Sequence, residues 1–201
     1  MKNIDIAYQA AKEIAQKRYD IFSEAYIKIT DKKGRQVPLR QNYVQRKIDS
    51  KIAELQRRGV PPRLIVLKSR QMGVSTDIQG RMIFETTTKP NRNGFIVSHE
   101  APSTSAIFEK AKYMYDNLPE DMKPLQKASN ATELIFDTPI HYIGPQKGLH
   151  SKIEIKTAGK SGIGRSETRH YVHLSEFAFW EGKDEDSPDK QLSGILQSVP
   201  D

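Results

Sequence analysis

The chain has 201 residues and no cysteine, with a formal net charge of +7 at pH 7 and a pI near 9.4. That length suits one α/β domain and leaves little room for a second, and the absence of cysteine excludes disulfides and thiolate metal sites. No apolar run reaches the roughly 20 residues of a membrane span, the charged N-terminus lacks a signal-peptide core so that no export is expected, and the basic balance favours a polyanionic partner, nucleic acid first.

Residues 4–22 carry Ile4, Tyr8, Ala11, Ile14, Ala15, Tyr19 and Phe22 at helical spacing, which predicts one amphipathic helix. "YIKITDKKGRQVPL" predicts two short strands around the turn Asp31-Lys32-Lys33-Gly34. Residues 42–58 predict a helix with a basic polar face, capped by Asn42 and stopped by Gly59 and Pro61-Pro62. The run "RLIVLKS" (63–69) reads as a buried strand, followed by a loop and a helix from Ser75 to Thr87 in which Gly80 is a defect worth about 1 kcal/mol. A second buried strand is expected at 94–99, with a helix after it to Asp116. "ELIFD", "IHYIG" and "KIEIKT" read as short strands, and a Gly-rich loop, "AGKSGIGRSE", leads into a last strong strand, "RHYVHLSEFAFW". A polar segment over 181–190 and a final helix close the chain.

Apolar strands alternating with helices predict an α/β fold, with a mostly parallel central sheet covered by helices on both faces. Residues 1–40 are expected to form a helix-and-hairpin layer packed on a core that spans 41–201. The five histidines, His99, His141, His150, His170 and His173, show no metal-ligand spacing and read as structural.

Two stretches match part of the phosphate-loop pattern GxxxxGK[ST], whose glycine admits backbone N–H groups to phosphate oxygens and whose hydroxyl binds Mg²⁺. "TAGKSG" has the literal GKS, but Gly162, Ile163 and Gly164 after it are poor helix material. "KSRQMGVST" lacks the first Gly and the usual Lys, yet it stands between an apolar run and a helix, where free N–H groups and the helix dipole attract an anion. The second is therefore the candidate loop: Lys68, Ser69, Arg70, Gln71, Met72, Gly73, Val74, Ser75 and Thr76. Val74 occupies the lysine position, and Lys68 at the mouth of the loop is the replacement charge, since a lysine acts as a point charge on a long stem. Read alone, Lys68 is also an ordinary solvated cation at a strand end. Glu176, at the end of "YVHLSE", suits a group that orients or deprotonates an attacking water. Ser175 stands where an Asp would hold Mg²⁺, so metal contact there would run through a hydroxyl or a water.

"LKSRQMGVST", "FIVSHEAPSTSAIF" and "GIGRSETRHYVHLSEFAFWEG", in that order, resemble the ATPase domain of tailed-phage terminase large subunits over most of 36–182. The resemblance implies a RecA-like P-loop NTPase of the additional-strand, catalytic-glutamate (ASCE) class. It also implies ATP and Mg²⁺ as cofactors, and double-stranded DNA, further copies of itself in a ring, the portal protein and the small terminase subunit as partners. The setting would be the host-cell cytoplasm during virion assembly, with no membrane involved. It casts Lys68 as the displaced loop lysine, Gly73 and Ser75 as the loop glycine and Mg²⁺ hydroxyl, Glu176 as the catalytic glutamate and Gln45 as an adenine-reading amide. Arg165 becomes the candidate arginine finger reaching a neighbour's ATP, with Arg70 and Arg169 as rivals. Full-length members continue into a coupling motif and a nuclease domain. The acidic stretch from Glu181 to Asp189 lacks two-metal spacing, so no nuclease is expected here. Two other readings remain at this stage: a helicase-like DNA-dependent ATPase, and a non-catalytic basic nucleic-acid-binding module with a decayed loop.

Overall fold

The structure is a computed structural model that describes residues 2–159 and 167–200. Where one N-terminal helix is expected there are two, α1 (Lys2–Ala15) and α2 (Tyr19–Ala25). The end of α1 tightens to i→i+3 bonds at Lys17 and Arg18, and extended backbone at Arg18 ends it. The break lets Tyr19 and Phe22 turn into the core while Tyr8 and Ile14 stay exposed. α1 is held by Ala15, which is buried, and by Tyr8 and Lys12, which bond Asp121 at 3.0 and 2.8 Å.

Strands β1 (Lys28–Thr30) and β2 (Gln36–Pro38) pair antiparallel. Asp31 closes their turn by accepting from the backbone N–H groups of Lys33 and Arg35 at 2.8 and 2.9 Å. Helix α3 (Tyr43–Arg57) begins at Asn42 with a reciprocal capping box to Gln45. There follow α4 (Val74–Thr88), β3 (Asn93–Ser98), α5 (Ala101–Asp116), β4 (Ala128–Ser129), β5 (Glu133–Phe136), β6 (Ser151–Thr157), β7 (Tyr171–Leu174) and α6 (Pro188–Leu196).

The main sheet runs β4-β5-β6-β3-β7; β6, β3 and β7 are parallel, while β4 and β5 form an antiparallel flank. On one face Ile96, Ile153, Ile155, Leu134 and Phe136 pack under α4, α5 and α2. On the other, Phe95 and Val97 meet Trp180 and Ile195. β3 is thus covered on both faces, which is why its sequence is an unbroken apolar run rather than an alternation.

Gly80 is a point of close approach. A Cβ there would lie 2.6 Å from Leu39 Cδ2 and 2.8 Å from the Tyr19 hydroxyl, so its absence lets α2 and the hairpin seat against α4.

Two expected strands do not form. Residues 63–69 carry no strand, and Ile65 and Leu67 are fully exposed at 102% and 101%. The sheet ends at β7, and residues 63–69 do not pair with its outer edge; strand composition alone supplies no partner. "IHYIG" is irregular, with Ile140 and Ile143 exposed; Pro139 and Pro145 bracket it and remove ladder donors. No helix of the described residues is long and apolar enough to cross a membrane.

Candidate active site

The loop before α4 turns through two left-handed residues, Gln71 (φ 62°) and Gly73 (φ 71°). The left-handed backbone angle at Gly73 calls for glycine, and a Cβ there would also press on the tip of Gln45 at 2.9 Å from Nε2. Two side chains of the α3 cap hold the loop. Gln45 Nε2 donates to Gly73 O at 2.8 Å, and Asn42 Nδ2 donates to Met72 O at 3.1 Å. Gln45 Oε1 meanwhile accepts from Asn42 N at 2.7 Å. The amide expected to read adenine is buried and fastens the loop to the helix cap, and a base edge would have to share it.

Val74 explains its own departure from the usual pattern. It is buried at the start of α4, so the position that ordinarily carries lysine packs inward. Ser75 and Thr76 are half-buried in the first turn, among the N–H groups that lack intrahelical partners. Lys68, Ser69 and Arg70 are exposed. Lys68 lies on the β7 side, where its charge adds to burial in lowering His173 to about 4. A neutral His173 accepts from Gln79 Nε2 at 3.0 Å through Nδ1, which ties α4 to β7.

Glu176 follows β7 in the left-handed region (φ 53°, ψ 42°), a conformation that costs a non-glycine residue about 1–3 kcal/mol and recurs at functional sites. Its neighbour is pinned: Ser175 N donates to Val97 O at 2.8 Å, and Trp180 Nε1 donates to Ser175 O at 3.1 Å. Glu176 Oε2 lies 3.2 Å from His99 Nδ1, with angles short of a hydrogen bond. On sequence His99 reads as structural, yet in the fold it faces Glu176. The signal lies in the parallel register: Val97 pairs with Leu174, so residues two further along both strands, 99 and 176, emerge side by side.

A cavity of about 370 Å³ is lined by Arg70, His99, Glu176, Phe179, Trp180 and Glu181. It gathers Arg70 and Glu176, while Lys68, Ser75 and Gln45 do not line it. Arg169 faces the core: it is 1% exposed, ion-paired with Glu154 Oε2 at 2.7 Å, and its guanidinium lies 4.4 Å from the Phe95 ring centroid. It cannot reach a neighbouring subunit. Arg165, with the GKS of the rival loop, lies outside the described residues.

The structure thus sets a loop that opens a helix beside a parallel strand followed by a glutamate, with no strand leading into the loop. No family model matches the sequence, and no curated protein does either. Solved structures do match. The Thermus phage P74-26 large terminase ATPase domain superposes with a TM-score of 0.52 at 19% identity, over 72% of this chain and 62% of that one. An arginine-to-alanine mutant of that domain gives 0.51 at 20% identity, over 64% and 51%. The chain therefore has the fold of a large-terminase ATPase domain, and its match spans 51–62% of the length of those domains.

Proposed function

We propose that the chain is the ATP-hydrolysing motor domain of a phage large terminase, which drives double-stranded DNA into the procapsid. The observation that carries this reading is the convergence of Arg70, from the loop that opens α4, and Glu176, from the end of β7, on one cavity. In this reading the backbone of residues 69–76 cradles the phosphates, Lys68 contributes charge from the upstream side, and Glu176 orients the attacking water. Gln45 serves the base edge and the loop. Arg165 acts on a neighbour's nucleotide within a ring docked on the portal, with the small subunit as a further partner. Ser75, with Ser175 through a water, offers a few hard oxygen donors, a set that suits Mg²⁺ keeping its own waters and phosphate contacts. Bound Mg²⁺ would neutralise charge on the phosphate oxygens.

Glu176→Gln tests the reading. MgATP turnover should fall by about 10²–10⁴, while MgATP affinity measured by calorimetry stays near that of the wild type. Full turnover in Glu176→Ala would remove Glu176 from the mechanism, and no MgATP binding by the wild-type chain would remove the ATPase reading itself.

A further inference from the structure

The N-terminal hairpin delivers a charge to the phosphate loop. Lys32, in the turn between β1 and β2, donates from Nζ to Gln71 Oε1 at 3.0 Å. Several other basic residues are neutralised by carboxylates, Arg35 by Asp31 at 2.7 Å, Lys12 by Asp121 at 2.8 Å and Lys51 by Glu54 at 2.9 Å. Among the described residues Lys32 has no such partner, only a neutral amide in the loop. An ammonium carries three N–H donors, and the amide occupies one.

The approach is built, because the turn that carries Lys32 is fixed at both ends. Asp31 takes two backbone N–H groups and Arg35 Nε, the last at 2.9 Å. Gln36 Nε2 donates to the Tyr113 hydroxyl at 3.0 Å and to Asn117 Oδ1 at 2.7 Å, which locks β2 onto α5. Ile27 and Leu39, flanking the hairpin, lie in the main core. Gln71 holds its left-handed backbone two residues before Gly73, so consecutive Cα spacing places it within about 8 Å of the helix-opening glycine.

We infer that Lys32 is a phosphate-binding residue, which supplies from outside the loop part of the positive charge that the buried Val74 cannot carry. When a nucleoside triphosphate occupies the loop, the ammonium keeps or exchanges its amide contact and donates to phosphate oxygen. This rests on the ATPase reading above. A lysine tolerates the change of entry direction because its charge is compact and its stem flexible.

Calorimetric titration with MgATP at low and at moderate salt decides it, using wild type, Lys32→Ala and Lys33→Ala. Lys32→Ala should weaken affinity by about three- to tenfold at low salt, as loss of one partly screened charge-assisted contact does. The difference should shrink with salt, and KM for ATP should rise with kcat little changed. Lys33→Ala, which removes an equal charge one residue away, should bind as wild type. Wild-type affinity in Lys32→Ala overturns the inference, as does equal weakening in both variants, which would mean a diffuse field. No binding by the wild type would overturn the ATPase reading first and this inference with it.

Discussion

His173 interrupts an otherwise apolar strand, and its surroundings decide its charge. Burial first, and Lys68 second, push it from its ordinary 6.5 to about 4. Between those values the unfolded chain takes up a proton that the folded chain refuses. The stability this neutral group secures is complete above about pH 6.5 and is lost as pH falls to about 4, a change of roughly 1–3 kcal/mol. Urea unfolding of wild type and His173→Gln from pH 4.5 to 7.5 checks it: wild type should lose more stability toward acid than the variant, and parallel curves would contradict the assignment. The same imidazole shows how a residue can be legible in kind but not in place. Its structural role was readable from the absence of metal-ligand spacing, whereas its bond to Gln79 depends on α4 and β7 meeting. His99 is the opposite case: an identical residue type, read the same way, stands against Glu176 because of strand register.

Among the elements, the segment 63–69 separates composition from environment most sharply. Its β-rich run predicts burial, but Ile65 and Leu67 face solvent. Ile65→Ser with Leu67→Ser should therefore change unfolding free energy by less than about 1 kcal/mol, where two buried aliphatic positions would cost several. A large loss in a denaturant melt would show that these side chains pack. Helix α3 was readable down to its cap, since Asn42 and the residue three positions on satisfy the first turn reciprocally. That Gln45 also fastens Gly73 was not readable, because the two lie 28 residues apart. Gly80 looked like a flaw in α4 for a related reason: helix propensity is local, whereas the approach of Leu39 and Tyr19 is not.

For the molecule as a whole, Arg169 links strands and layers. It pairs with Glu154 on β6, stacks on Phe95 of β3, and donates its backbone N–H to Ser198 O at 2.7 Å beyond α6. Glu154 feels burial, which would raise its pKa, but Lys156 and Arg169 together hold it below the ordinary range. Arg169→Ala leaves that carboxylate short of a partner and should destabilise the fold by about 3 kcal/mol, with Glu154→Gln in the same chain recovering part of it. Thermal or urea melts give the answer; a wild-type melt for Arg169→Ala would place this arginine outside the core network. An arginine finger behaves differently, since its removal lowers turnover and leaves the melt in place. The N-terminal layer also belongs to this scale: Tyr19, Phe22, Ile27 and Leu39 share the main core, and Asn42, Gln45 and Lys32 brace the loop from two directions.

The sequence by itself determined helices α3 to α6, the strands at β3, β6 and β7, the loop that opens α4 and the glutamate that follows β7, because each is written in local periodicity, caps and glycines. Tertiary structure alone decided that 63–69 finds no strand partner, that Arg169 turns inward, that Val74 is buried, that His99 faces Glu176 and that Lys32 meets Gln71. Those outcomes hang on contacts between residues far apart in the chain, and a local pattern carries no information about which distant surface will arrive beside it.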